Sequence, residues 1–204
     1  MIKANNLTKK YGNFTALEDI NLEIDKGKIV GLLGANGSGK TTFIKLVAGL
    51  LSPTSGDVTI DDNKPGVETK KVVSYLPENN ALDLDMKVSE TIGYYKDFFE
   101  DFDEEKAKKL IGNFGIDLNQ KMKNLSKGMK EKVQLVLCIS RNANYYILDE
   151  PIGGVDPASR DHILDTILNN FNKNATIIWC ATQLVDINKK SSVLKRENSF
   201  SLFV

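Results

Sequence analysis

The sequence predicts an α/β fold with a mostly parallel sheet, antiparallel strands near the N-terminus and an α-helical subdomain. Three observations carry that prediction. Short apolar runs, KIVGLL (28–33), YYILDE (145–150) and TIIWCAT (176–182), suit strands buried on both faces. Amphipathic stretches such as TTFIKLVAGLL (41–51) and RDHILDTILNNF (160–171) alternate with them, as crossover helices between parallel strands do. Residues from about 86 to 141 hold no strand run and read as helical, acidic and aromatic. The expected division is one domain, its core formed by 1–85 and 142–204 and its helical subdomain by about 86–141.

Each element has its own local reason. LEDINLEID (17–25) alternates loosely and then meets Gly27, the pattern of short antiparallel strands closed by a turn. SPTSG (52–56) is a turn cluster ahead of the strand-like DVTID (57–61), and VVSYLP (72–77) is a short strand ended by proline. In NLSKGMKEKVQ (124–134), Ser126 stands where a helix N-cap is wanted. Met129, Val133, Val136 and Leu137 then mark one buried helix face. The apolar side of RDHILDTILNNF is Ile163, Leu164, Ile167, Leu168 and Phe171, which leaves His162 as a structural surface residue. SSVLKRENSFSLFV (191–204) reads as a closing hairpin around Glu197 and Asn198.

A formal net charge of zero gives no global attraction to nucleic acid or anionic lipid. Cys138 and Cys180 sit inside apolar runs without framework spacing, so they read as buried thiols of a reducing compartment. The opening MIKANNLTKKYG shows no apolar secretory core, and no run approaches the roughly 20 apolar residues that span a bilayer. The expectation is a cytoplasmic chain that would serve a membrane only through a partner.

GANGSGKT (34–41) matches G-x-x-x-x-G-K-[ST] in full and lies between a predicted strand and a predicted helix, which marks the core as that of a P-loop NTPase. Gly34, Gly37 and Gly39 let the backbone curl its amides toward phosphate oxygens. Lys40 supplies a cation to the β- and γ-phosphates of ATP, and the Thr41 hydroxyl ligates Mg²⁺. Asn36, Ser38 and Thr42 complete the nucleotide-binding set along the loop. A P-loop needs a second acid on the metal side at the end of a core strand. Asp149 meets that need, and Glu150 beside it is placed to polarise an attacking water.

A glycine loop, a serine–glycine helix start and a strand ending Asp-Glu, in this order, resemble the ATP-binding cassette (ABC) ATPases. The resemblance runs from Tyr11 to the C-terminal hairpin. The family's signature LSGGQ is LSKGM here (125–129), keeping Leu125, Ser126 and Gly128. The resemblance implies that two subunits, identical or paralogous, pair head to tail, with Ser126 and Gly128 capping ATP held in the partner's loop. A helix N-terminus suits an anion, and ATP that binds only the pair drives closure by mass action. It further implies that Tyr11 stacks on adenine and that Asp156, in GVDP (154–157), communicates across the dimer.

Lys127 and Met129 depart from the family's signature, and two further departures matter more. In YLPENN (75–80), Glu78 stands where a glutamine is usual and can still reach Mg²⁺ or its waters through oxygen. Gln183 stands where a histidine touches the γ-phosphate, and it cannot carry positive charge. Hydrolysis is expected to slow by about 10²–10³, the usual loss for one such donor, with ATP binding largely kept. Gln183 is either natural or an introduced change.

The resemblance also implies an integral membrane permease, which would hold the subunit peripherally on the cytoplasmic side of the cell membrane. Tyr94, Tyr95, Phe98, Phe99 and Phe102 form an aromatic stripe to be divided between subdomain core and a docking surface near Leu82. The acidic-aromatic style and the Glu78 variant resemble small bacterial exporter cassettes. Competing classes are a soluble ABC ATPase acting on nucleic acid or ribosomes, a P-loop small-molecule kinase and a non-hydrolysing regulatory dimer. No nucleic acid is expected as a partner, and no regulatory C-terminal domain is expected after the hairpin.

Overall fold

The computed structural model describes residues 1–79, 82–151, 157–181 and 201–203. The chain divides into two compact units: Met1–Tyr75, Asn144–Glu150 and Lys173–Val204 form unit 1, and Leu76–Ala143 with Pro151–Asn172 form unit 2.

Unit 1 opens with β1 (Ile2–Tyr11) and β2 (Phe14–Ile24), an antiparallel pair in which Ile2 faces Ile24 and Tyr11 faces Phe14. β4 (Ser55–Ile60) joins β1 on its other side, completing a three-stranded sheet ordered β2-β1-β4. These are the antiparallel N-terminal strands that the alternating pattern predicts. A second sheet holds β3 (Ile29–Leu33), β5 (Val73–Leu76), β6 (Tyr145–Asp149), β7 (Thr176–Ala181) and β8 (Ser201–Phe203), in the order β5-β6-β7-β3-β8. The pairings β6–β7, β7–β3 and β3–β8 are parallel. All five residues of β6 are buried, the condition of a strand covered on both faces.

α1 (Lys40–Val47) buries Phe43, Ile44, Leu46 and Val47 in the core of unit 1, beside Ile2, Leu7, Val30 and Ile147. A short α2 (Val67–Val72) follows β4; no periodic run announces it in sequence. The turn after β4 gathers charge: Asp61 Oδ1 accepts from Tyr145 Oη at 2.8 Å and pairs with Lys26 at 2.8 Å and the Met1 amino group at 2.5 Å. Burial pushes the Asp61 carboxyl up, but these hydrogen bonds outweigh it and hold the pKa at about 2. The expected C-terminal hairpin turn at Glu197 and Asn198 lies outside the described residues, while β8 lies parallel to β3 at the sheet edge.

Unit 2 is helical: α3 (Val88–Phe98), α4 (Glu104–Asn113), a 3₁₀ turn at Met122–Asn124, α5 (Lys127–Ile139) and α6 (Pro157–Asn170). The core expected over 142–204 does not include α6, which belongs to unit 2, where its Ile163, Leu164 and Ile167 are buried. One cation helps to hold it there. Lys106 Nζ donates to Ile139 O, the last residue of α5, at 2.6 Å and also to Asn170 O, the last of α6. The carbonyl ends of two helices carry partial negative charge, and one ammonium satisfies both.

The segment before α4 is zipped to the end of α5. Asp103 N donates to Ser140 O at 2.8 Å and Asn142 N to Asp101 O at 2.9 Å. Arg141, 4% exposed, makes a two-pronged pair with Asp101 at 2.9 and 3.2 Å and stacks 3.9 Å from the Phe99 ring centre. The aromatic stripe therefore divides. Tyr95, Phe99 and Phe102 pack inward, and burial pushes the Tyr95 phenol up to about 12. Tyr94 and Phe98 remain exposed, their rings 4.4 Å apart.

Candidate functional site

The loop between β3 and α1 takes its shape from glycines. Gly39 caps α1 with φ +92°, and a Cβ there would lie 2.5 Å from Ala16 O and 2.7 Å from Leu17 Cδ2. No other residue fits without moving the backbone of β2. A Cβ on Gly34 would meet Ser38 Oγ at 2.6 Å, and Gly37 has φ +84°. The loop that results presents exposed residues 35–38 over the start of α1, the arrangement in which backbone amides and a helix N-terminus meet an anion.

Three side chains complete the site in unit 1. Lys40 Nζ donates to Gly34 O at 2.6 Å and Ala35 O at 3.0 Å, and it has no ion pair among the described residues. An ammonium resting on two neutral carbonyls can exchange them for phosphate oxygens at little cost. From the next position of α1, Thr41 Oγ1 donates to Asp149 Oδ1, 3.3 Å away at the end of β6. Asp149 is 1% exposed, so its carboxylate needs such hydroxyl or metal neighbours. A hydroxyl and a carboxylate brought together by two different elements are the hard oxygen donors that suit Mg²⁺. The residues present thus fit a magnesium nucleotide: amides and Lys40 for phosphate, Thr41 and Asp149 for the ion. Among the described residues no group of three or more His, Cys, Asp or Glu forms an all-protein metal cage.

Glu150 leaves the strand with φ +51°, a left-handed backbone rare in a residue that is not glycine. Its N–H donates to Cys180 O on β7 at 3.1 Å, which fixes the turn. Such strain gathers where function requires an awkward direction. The Cys180 thiol is pushed up to about 12 by burial and then by Asp149, so it remains protonated beside the site. Tyr11, 46% exposed, ends β1 with Lys9 Nζ 5.3 Å from its ring centre.

The remaining candidates belong to unit 2 or lie outside the described residues. Ser126 caps α5 as its sequence position predicts, Oγ accepting from Met129 N at 3.2 Å. A Cβ on Gly128 would meet nothing within 4 Å, so no neighbour among the described residues demands the glycine. Glu78 is exposed just after β5. Asp156 and Gln183 lie outside the described residues, as does the side chain of His162.

The single buried face expected of α5 is an underestimate. From Val133 to Ile139 every residue is buried, including Gln134 at 5% exposure. The sequence reading passed over Gln134, Lys106 and Arg141. The signal for Gln134 was available, since it is the one polar residue in the run VQLVLCI.

A family model described as ABC transporter matches residues 17–153. The chain is similar to the ABC transporter ATP-binding protein MJ1023 of Methanocaldococcus jannaschii, 33% identical over 92% of this chain and 70% of that protein. It is 30% identical to YhaQ of Bacillus subtilis over 90% of this chain, but it spans only 63% of that relative's length. It is 29% identical to the lipopolysaccharide export system ATP-binding protein LptB of Escherichia coli, over 88% of this chain and 83% of LptB. Among solved structures, an ATP-binding subunit of an ABC transporter aligns with TM-score 0.81 and 27% identity, over 100% of this chain and 85% of that one. A dimeric ATP-binding cassette, MJ0796 bound to ADP and Pi, shares the fold at TM-score 0.80 and 21% identity, over 100% and 94%.

Proposed function

The chain belongs to the ABC transporter family, and on that premise we propose that it binds and hydrolyses ATP to drive a separate membrane permease. The observation that carries this reading is the Thr41–Asp149 contact next to a loop in which Gly34 and Gly39 leave no room for a Cβ. Amides of Gly34–Thr42 and the Lys40 ammonium hold the phosphates, and Tyr11 stacks on the base. Thr41, Asp149 and Glu78 would hold Mg²⁺, which would supply charge neutralisation at the phosphates. Glu150 orients and polarises the attacking water.

ATP joins two copies, or this chain and a paralogue, head to tail. The helix N-terminus at Ser126, which suits an anion, and the room beside Gly128 among the described residues support this. Gln183 keeps a donor for the γ-phosphate but no charge, so turnover is slow while the dimer is well populated. The relative LptB, the ATP-binding protein of an export system, favours export over import. The permease docks on unit 2, where Leu84, Tyr94 and Phe98 are exposed beside Asp83, Asp85 and Asp97. Among the described residues no helix is long and apolar enough to cross a membrane.

Sedimentation of the full chain with Mg-ATP tests the pairing: the parent forms a dimer and Ser126→Arg remains monomeric. Equal assembly of the two overturns it. Gln183→His is expected to raise turnover by about 10²-fold if position 183 supplies the missing charge. Substitution of Leu84 or Phe98 by a charged residue is expected to reduce co-purification with the permease.

A further inference from the structure

Gln134 lies in the buried stretch of α5, among Val133, Leu135, Val136 and Leu137. A side-chain amide there loses its water and must find partners inside the protein. Its NH₂ group has two hydrogens to offer, and two backbone carbonyls lie within reach. Nε2 donates to Pro77 O at 3.4 Å and to Asn79 O at 3.4 Å. Those two carbonyls flank a single residue, Glu78. The Glu78 side chain is exposed, while the backbone on either side of it is held by one amide.

The same helix begins at Ser126, eight residues earlier, or about 12 Å along the axis. One rigid element therefore carries both the N-cap serine and the clamp on the acid. A core glutamine satisfied at random would have no reason to span one acidic residue. A leucine at 134 would fill the same volume without a desolvated amide, so packing alone gives no preference for glutamine.

We propose that Gln134 is a positioning residue that couples Glu78 to the helix start at Ser126. The inference rests on the dimer reading above, in which Glu78 serves the nucleotide of its own subunit and Ser126 that of the partner. Displacement of α5 on engaging one nucleotide then moves the acid at the other, so the two sites of a dimer fill together. Gln134 touches neither nucleotide nor water and acts only through the placement of Glu78.

The experiment uses the full chain in a Glu150→Gln background, which retains ATP. Dimerisation is followed by sedimentation across Mg²⁺ concentrations, and monomer affinity with a fluorescent ATP analogue. Gln134→Leu is expected to raise the Mg²⁺ needed for half-maximal dimerisation about fivefold to tenfold, the worth of one or two hydrogen bonds. Monomer affinity for the analogue without Mg²⁺ should stay within about twofold, because Glu78 acts only through the ion, while Lys40 and the glycine loop belong to unit 1. In a Glu78→Ala background Gln134→Leu should add nothing, whereas a merely structural glutamine would cost as much there as in the parent. Thermal unfolding confirms that each variant is folded. Dimerisation of Gln134→Leu at the parent's Mg²⁺ midpoint overturns the inference, as does an undiminished cost in the Glu78→Ala background. If Ser126→Arg dimerises as well as the parent, the dimer reading falls and this inference with it. If Ser126→Arg is monomeric while Gln134→Leu behaves as the parent, only the inference falls.

Discussion

The two units solve the problem of placing a polar group by opposite means. In unit 1 the phosphate loop is set by backbone: three glycines, a strand end and a helix start fix the amides, and the side chains follow. In unit 2 the working positions are set by side chains that cross between helices. Lys106 closes two helix ends, Arg141 ties the α3–α4 connection to the end of α5, and Gln134 spans Glu78. Backbone-defined sites tolerate changes around them but none within them. Sites defined by crossing side chains spread their dependence over distant positions.

Gly39→Ala breaks that comparison most severely if it is wrong. The left-handed backbone and the contact with Ala16 O together should cost about 4 kcal/mol and abolish nucleotide binding, read by denaturant unfolding and ATP-analogue titration. A binding-competent Gly39→Ala would mean that the loop adapts and that backbone does not define the site. Arg141→Ala is the counterpart in unit 2. Stranding Asp101 without its cation should cost about 3 kcal/mol, with protection from hydrogen exchange lost in α3–α5 and retained in the strands of unit 1.

Acid sharpens the contrast within unit 1. Asp61 is held at a pKa of about 2, so its contribution is complete above the ordinary carboxylate value near 4 and drains as pH falls toward 2. Discounted for partial exposure, that contribution is about 1.5 kcal/mol. The stability gap between parent and Asp61→Asn should close over the same interval. The smallest expected effect is Ser126→Ala, which loses an N-cap bond worth about 1 kcal/mol by thermal unfolding. If that substitution nonetheless abolishes ATP-driven assembly, the serine matters more to a partner than to its own fold.

The same contrast explains what could be read in advance. The P-loop was legible because glycine spacing records a backbone requirement directly, and Thr41 meets Asp149 as the motif implies. β3, β6 and β7 were legible as apolar runs, and Ser126 as a cap. The membership of α6 in unit 2 was not, since it depends on which neighbour buries Ile163 and Ile167 and on an ammonium some 60 residues earlier in the chain. Nor was the division of the aromatic stripe, because Tyr95 and Phe98 differ in surroundings and not in local pattern. Local periodicity states that a face is buried; it does not name what buries it.

The backward-twisted peptide at Glu150 has an evolutionary consequence. Glycine, asparagine and aspartate would sit there with less torsional cost, yet none combines a carboxylate with the reach of glutamate. The residue that folds best and the residue that works best are therefore different at this point. A library selected only for heat resistance should drift toward glycine or asparagine at 150, and one selected for turnover should return to glutamate.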